Sequence, residues 1–318
     1  MKILFVGGIY FVEFSLYQES LNNPNIDVKF CIGRESMPDV IPIVKPNIVS
    51  NRADIDRIKS EFNPDITLFR GWVTTENLIN DSEVYWNQEI HPTDHKGNKS
   101  NNNPVPNAAR IIAYQSKPMA KNKGGYWMPY CVSKYWGISS NVKRDIPVMV
   151  AMSIPGEGTG MKIEACDSLV KPIIEWDSKL VHVFSGIGGG LGRVSYLKPC
   201  LKPSFPAIDA IHTISKAQIY LSPSTIWHDE GCISHKTIEA MGCGCLVITN
   251  KYIGMEDMFG ADGENLLYSN SPEETLDKVK YYLKHDKERE EIAERGYKFI
   301  HSEYNWEKHL TRLSKELN

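Results

Sequence analysis

Apolar residues along this chain come in short runs, each closed by glycine, proline or asparagine and followed by a stretch of helical spacing. Lys2–Val6 is such a run and ends at Gly7-Gly8, as a buried parallel strand followed by a tight turn does. The pattern predicts a helix over Val12–Leu21, stopped by Asn22-Asn23-Pro24, and a strand over Asp27–Ile32. It predicts a further helix over Asp54–Phe62, ended by Asn63-Pro64. Asp65–Phe69, Glu83–Asn87 and Ile111–Tyr114 are strand candidates. Strands that alternate with helices imply parallel βαβ units. The Asn-rich, Pro-broken stretch from His91 to Asn107 reads as a loop, long enough to be functional or mobile. Lys117–Gly125 reads as a basic loop, and Tyr126–Trp136 as an aromatic-rich stretch that packs between lobes.

A boundary falls near Gly137–Asp145, and the alternation then starts again. Pro147–Ser153 is a strand run, followed by a Gly-rich turn to Gly160 and a helix over Met161–Val170. Leu180–Phe184 is the next strand and leads into Ser185-Gly186-Ile187-Gly188-Gly189-Gly190. A helix around Ala207–Ser215 precedes the strand Gln218–Leu221, and Leu246–Thr249 is another strand. Ser271-Pro272-Glu273-Glu274 is a capping box with proline at the first helical position. It opens a helix with Leu276, Val279 and Leu283 on one face. Helices over Lys287–Phe299 and Trp306–Leu317 finish the chain. The expected architecture is two Rossmann-like α/β lobes with a cleft between them. They cover 1–140 and 141–300, and the segment 301–318 returns as a helix to the first lobe.

Composition narrows the function. The 318 residues are 42% apolar and 24% charged, an ordinary globular mixture, with a formal net charge of −3 that argues against a generally basic nucleic-acid binder. No apolar stretch approaches the ~20 residues that span a bilayer. The run after Met1-Lys2 is too short for a signal peptide. Seven dispersed cysteines without a CxxC pair read as buried apolar thiols of a reduced, cytoplasmic chain. Cys243-Gly244-Cys245 would supply only half of a metal site, the sequence holds no second half, and the two cysteines read as core packing.

Candidate chemistry concentrates where second-lobe strands end, because ligands of open α/β sheets bind outside the carboxyl ends of the strands. Gly186 and Gly188 let backbone approach a ligand closely. Their spacing is not that of a dinucleotide fingerprint. Arg193, just beyond, reads either as a phosphate ligand or as an exposed structural arginine. The stretch EGCISHKTIEAMGCGCLVIT runs from Glu230 to Thr249. Its carboxylates Glu230 and Glu239 are either solvent-facing charges or a pair that holds a polyhydroxylated ligand. Ser234 is a good N-cap, so Gly231, Cys232, Ile233, Ser234 and His235 form a turn into a helix whose first N–H groups can seat a diphosphate. Glu239, about one turn in, can accept two ribose hydroxyls, and Glu230 can reach a sugar beyond the phosphates. Lys236, Lys162 or Arg193 would stabilise the leaving diphosphate. Glu13, after the first Gly-rich turn, is an acceptor-cleft candidate. His91, Asp94 and His95 offer an acceptor-side base or a solvated loop. Tyr126, Trp127, Tyr130, Tyr135 and Trp136 either stack a sugar or base, or pack the lobes.

The stretch Ser222–Leu267 resembles the retaining glycosyltransferases of family 4 and the related CgeB-like group. The resemblance rests on Ser222-Pro223-Ser224, Glu230-Gly231, Glu239-Ala240 with Gly242 and Gly244, then Glu256 and Gly263-Glu264-Asn265-Leu266-Leu267. Asn305-Trp306 sits where such proteins carry a tryptophan before the last helix. The resemblance implies the GT-B fold, with a nucleotide-sugar donor on the second lobe and the acceptor on the first. Glu239 matches the glutamate that binds donor ribose, and Glu230 the one near the donor sugar. Eight residues separate them, one more than the family motif has. The family's Arg-x4-Lys for the diphosphate is absent after Pro147–Ser153, and Lys162 is the nearest substitute.

The sequence therefore points to transfer of a sugar from a UDP- or GDP-linked donor, with retention and without an essential metal or other cofactor. The expected acceptor is a glycan or lipid-linked precursor. The basic segments Lys96–Lys99 and Lys117–Lys123 leave a modified DNA base as a second option. Two competing classes stand beside it: a sugar-nucleotide epimerase with a similar cleft, and a non-catalytic sugar-nucleotide sensor.

Overall fold

The computed structural model describes residues 1–9, 11–32, 40–70, 83–87, 109–137, 142–152, 160–185, 192–224, 234–252 and 254–318. These divide into two compact units. The first holds the described residues up to Tyr135 together with Glu303–Asn318, and the second runs over Trp136–Ser302.

In the first unit the strands are β1 (Lys2–Val6), β2 (Asp27–Ile32), β3 (Asn47–Ile48), β4 (Ile66–Arg70), β5 (Val84–Asn87), β6 (Ile111–Tyr114) and β7 (Tyr126–Trp127). They form one sheet in the order β3-β2-β1-β4-β5-β6-β7, and every pairing is parallel. Helices α1 (Phe11–Asn22), α2 (Ile41–Val44), α3 (Arg52–Phe62) and α4 (Lys117–Lys123) lie between strands in sequence. The apolar face of α3 carries Ile55, Ile58 and Phe62, which pack on Leu4, Val6 and Phe69. Helix α3 begins two residues before the sequence pattern places it. Asn51 accepts from the Asp54 N–H at 3.1 Å, and the Asp54 carboxylate accepts from the Asn51 N–H at 3.3 Å. That reciprocal cap satisfies donors the helix itself cannot.

Lys117–Gly125 is not a loop. Ser116 accepts from the Met119 N–H at 3.2 Å, proline stands in the first turn, and Gly124 closes the helix at φ 65°. The lysines that made the stretch look like a loop sit on a capped α4 whose Met119 and Ala120 are buried. Cap, proline and C-terminal glycine outweigh the polar composition over so short a stretch.

The second unit repeats the plan. Its strands are β8 (Ile146–Ala151), β9 (Val181–Ser185), β10 (Leu201–Pro203), β11 (Ala217–Ser222), β12 (Leu246–Asn250) and β13 (Leu267–Ser269). They pair in parallel in the order β10-β9-β8-β11-β12-β13. Its helices are α5 (Gly160–Leu169), α6 (Lys171–Asp177), α7 (Ala210–Ile214), α8 (His235–Gly242), α9 (Met255–Phe259), α10 (Pro272–Tyr282) and α11 (Asp286–Glu303). Val148, Val150, Ile219, Leu221, Leu246 and Ile248 form the sheet's share of the core. Leu169, Ile173 and Val279 cover it from the helices, with Leu276 and Leu283 beside Val279 as the periodicity of α10 requires. In the cap of α10, Ser271 accepts from the Glu274 N–H at 3.1 Å. The Glu274 carboxylate reaches the Asn270 N–H instead of that of Ser271.

The last helix, α12 (Trp306–Leu317), belongs to the first unit. Trp306 is fully buried, and its indole N–H donates to Ser15 Oγ at 2.8 Å. Val132 and Asn305 form a parallel bridge beside it. Trp127 meets Tyr304 and His309 edge-on at 6.0 and 5.4 Å, and Tyr130 meets Trp86 at 5.9 Å. The aromatic stretch expected between lobes thus packs Tyr126, Trp127 and Tyr130 inside the first unit, against its own sheet and α12. Trp136 alone falls in the second.

Candidate donor site

In a doubly wound sheet the ligand crevice opens where strand order reverses, outside the carboxyl ends of the strands. In the second sheet that point lies between β8 and β11. The buried Tyr220 phenol bridges the two, donating to the Ala151 carbonyl at 3.1 Å. Burial pushes this phenol well above its ordinary pKa, and the nearby Glu239 charge adds to the shift, so it remains a donor. Strands β9 and β11 are separated by β8.

Helix α8 follows β11. Ser234 adopts the extended conformation of an N-cap, and its hydroxyl accepts from the Lys236 N–H at 3.3 Å. His235, Lys236 and Thr237 make the first turn, as their position after the serine predicts. Thr237 is fully buried and its hydroxyl shares a 2.8 Å hydrogen bond with Ser222 Oγ, which fixes the start of α8 to the end of β11. Glu239 is 3% exposed. Its Oε2 accepts from Lys236 Nζ at 2.9 Å. The two charges assigned to different parts of a ligand are thus paired with each other.

The rest of α8 is held from its own unit. The Trp136 indole donates to the Glu239 carbonyl at 3.1 Å. A Cβ on Gly137, at φ 80°, would fall 2.0 Å from the Gly242 carbonyl oxygen, so only glycine permits this approach. His301 bonds the same carbonyl at 3.1 Å. Arg144 donates to the carbonyls of Ser215, Ala217 and Cys243 at 3.0, 2.7 and 3.0 Å, and so caps the end of α8. The turn after β11 is fixed too. Thr249 Oγ1 donates to the Ser222 carbonyl at 2.9 Å, the Asn250 amide accepts from the Ser224 N–H at 3.3 Å, and Tyr252 donates to the Ser224 carbonyl. Sequence reasoning placed Thr237 in the first helical turn but gave no role to its hydroxyl, nor to Arg144 or His301. The signal for Thr237 was present, a hydroxyl between Lys236 and Glu239 in a buried helix beside a strand-ending Ser222.

Beyond α8, Gly263 takes φ 82° and Asn265 donates to the Phe259 carbonyl at 2.8 Å, which sets the turn into β13. Glu256 is half exposed and pairs with Lys251 at 2.7 Å. Burial pushes the Cys243 and Cys245 thiols up, so both stay protonated. No cluster of three or more metal-ligating side chains exists among the described residues.

Glu13 lies in the first unit. It is fully buried and pairs with Arg70, the last residue of β4, at 3.0 Å. Arg70 also donates to the Gly8 carbonyl at 3.3 Å. The pair marks the reversal point of the first sheet, between β1 and β4. Glu230, Gly231, Cys232, Ile233, Gly186, Gly188, His91, Asp94 and His95 lie outside the described residues. Lys162 falls on α5 and Arg193 on a 3-10 segment, Gly192–Cys200, but their side chains are outside the description. Of the predicted site residues, Lys236 and Glu239 on α8 are brought together by the structure, while the expected partnership of Glu239 with Glu230 lies outside the described residues.

Residues 181–315 match the model of the glycosyl transferase-like family. An uncharacterized glycosyltransferase of Methanocaldococcus jannaschii is 29% identical over 108 residues, 33% of this chain. That stretch spans only 26% of the relative's length. Among solved structures, HepE of Anabaena in complex with UDP and glucose aligns over 100% of this chain and 99% of its own, with a TM-score of 0.67 at 13% identity. Sucrose-phosphate synthase of Thermosynechococcus elongatus aligns over 99% and 98%, with a TM-score of 0.65 at 10% identity. At such identities these likenesses concern the fold. No described helix is long and apolar enough to cross a membrane. Residues 181–315 are thus similar to the glycosyl transferase-like family, and the two parallel sheets have the GT-B fold of the solved glycosyltransferases that the chain resembles.

Proposed function

We propose that the protein transfers a sugar from a nucleoside-diphosphate sugar, with uridine diphosphate the first candidate, to an acceptor hydroxyl. The observation that carries this reading is the Ser234-capped α8 at the reversal point of the second sheet, presenting Lys236 and Glu239 within the family-matched residues. Backbone N–H groups and a cation at a helix N-terminus suit a diphosphate, and a buried carboxylate a turn later suits ribose hydroxyls. In the reaction the bond between the sugar anomeric carbon and the diphosphate oxygen breaks, and its electron pair leaves with the diphosphate. The acceptor oxygen bonds to that carbon and gives up its proton to the departing diphosphate. Lys236 would meet the charge that develops on the leaving group, where such stabilisation acts on the transition state.

Glu230 would approach the donor sugar, and retention at the anomeric centre is the stereochemistry this reading carries. Glu13 and His91 are the acceptor-side candidates. The acceptor would be a glycan or a lipid-linked sugar, with a modified DNA base as the alternative. No metal is assigned a step. Incubation with UDP-, GDP- and ADP-sugars and an acceptor panel tests the reading, with release of free nucleoside diphosphate coupled to a glycosylated product as the expected result. Conversion of the donor sugar with the nucleotide still attached would instead place the chain with epimerase-like enzymes. Binding without either outcome would make it a sensor.

A further inference from the structure

Strand register sets one row of side chains across the second sheet. Tyr220 of β11 pairs with Met149 of β8, and on the other side of β8 Met149 pairs with His182 and Ala151 with Phe184. These residues alternate with Val150, Val183 and Leu221, which enter the core on the opposite face. Exposure grows along the row. Tyr220, beside Glu239, is 0% exposed, Ala151 is 7% exposed, and Phe184 is only partly buried. A parallel sheet is ordinarily covered on both faces, and here the cover stops short of a ring. Phe184 is the penultimate residue of β9, so that ring stands at the carboxyl end of the strand, where ligands of such sheets bind. Phe205, also partly buried, follows β10 and meets Phe184 edge-on, with ring centroids 5.4 Å apart and planes at 64°. In that arrangement each ring keeps a face turned away from the other. The backbone beneath both is held. The Phe184 carbonyl accepts from the Met152 N–H at 3.1 Å, and Phe205 precedes Pro206, which is fixed at φ −66°.

We propose, resting on the donor-site reading above, that Phe184, flanked by Phe205, is the platform on which the nucleobase of the donor stacks. With the diphosphate at the start of α8 and the ribose on Glu239, the base extends from the ribose away from the phosphates. Strand β9 lies two strands from β11, about 10 Å at the ordinary strand spacing, and a nucleoside bridges such a distance. The residue between them on β8 is Ala151, whose small side chain leaves room for a base to lie across the strand. Every base has a π face, so an aromatic platform accepts them all. Phe184 therefore selects nucleotides over sugar phosphates, and the choice among bases falls to other groups.

Calorimetry with UDP, GDP, ADP and ribose 5-phosphate, together with saturation-transfer NMR of UDP, tests this on the full chain. Phe184→Leu keeps an apolar side chain but removes the ring, and should weaken UDP binding about tenfold, as the loss of one base-on-aromatic stack does. Phe184→Tyr keeps the ring and should stay within about twofold of the wild type. Ribose 5-phosphate has no base and should bind the wild type and Phe184→Leu alike. In the wild type the uracil ring protons should receive more saturation than the ribose anomeric proton. In Phe184→Leu that excess should disappear while the ribose proton is still saturated. A misfolded variant would lose both signals together, and Phe205→Leu, which removes the flanking ring instead, then decides by the same loss of the uracil excess. If the wild type binds UDP without a uracil excess, or Phe184→Leu keeps both the excess and the UDP affinity, the rings are packing and this inference fails alone. If the wild type binds none of UDP, GDP and ADP, the donor-site reading fails and takes the inference with it.

Discussion

Replacing Thr237 with valine removes one hydroxyl and keeps the shape of the side chain. Its partner Ser222 Oγ lies 2.8 Å away, and the two residues are 0% and 2% exposed, so water cannot replace the lost bond. Leaving one buried hydroxyl unsatisfied costs about 1–3 kcal/mol. Valine and threonine have similar helix propensities, so little of that cost would come from the helix itself. Urea denaturation should show the loss as a lower midpoint with an unchanged slope. Ser222→Ala combined with Thr237→Val removes both polar groups, and the double variant should recover at least about 1 kcal/mol relative to the sum of the singles. Thr237 sits between Lys236 and Glu239 in sequence, so the single variant should also weaken UDP binding. A single-variant cost below about 0.5 kcal/mol, or strict additivity in the cycle, would refute the idea that this hydroxyl pair seats α8.

Arg144→Met deprives three carbonyls of their donor, among them that of Cys243 at the end of α8, and should cost about 2–4 kcal/mol by denaturation. Gly137→Ala should destabilise by more than about 1 kcal/mol, because the backbone there is at φ 80° and the new methyl meets the Gly242 carbonyl; thermal melting checks it. His309 is fully buried, its ring bonded to the Glu303 carbonyl at 2.8 Å, and burial lowers its pKa to about 4. The folded state therefore binds fewer protons than the unfolded chain between the ordinary histidine pKa of about 6.5 and about 4. Stability should fall as pH drops through that window, by up to about 1.4 kcal/mol per unit, and stay level above it as far as this group is concerned. His309→Gln should flatten that part of the profile in urea denaturation series.

Strand positions were the most legible feature of the sequence. Lys2–Val6, Asp27–Ile32 and Ile111–Tyr114 end where the apolar runs end, because their carboxyl-terminal residues are buried and apolar while the polar Lys2, Asp27 and Lys29 lie towards the strand starts. Short elements were less visible. Helix α4 hid its cap and proline among lysines. Helix α6 begins after a single intervening residue, Val170, with Pro172 near its start, so no polar break announces it. At the site, Ser234, Lys236 and Glu239 were legible because capping and helical spacing are local rules. The pairing of Lys236 with Glu239 was equally local, at i and i+3, but looked like two independent ligands when each was matched to its own role. The supports from Trp136, Arg144 and His301 come from distant parts of the chain, and no local pattern encodes a partner a hundred residues away.

Hydrogen exchange with and without UDP tests the central claim, that the nucleotide seat is the start of α8 at the reversal point of the second sheet. UDP should slow exchange at the amides of 231–237 and 185–190, which follow β11 and begin at the end of β9, and leave the first unit unchanged. Protection confined to the first unit, around 7–13, would assign the donor to the wrong half of the molecule and contradict the account.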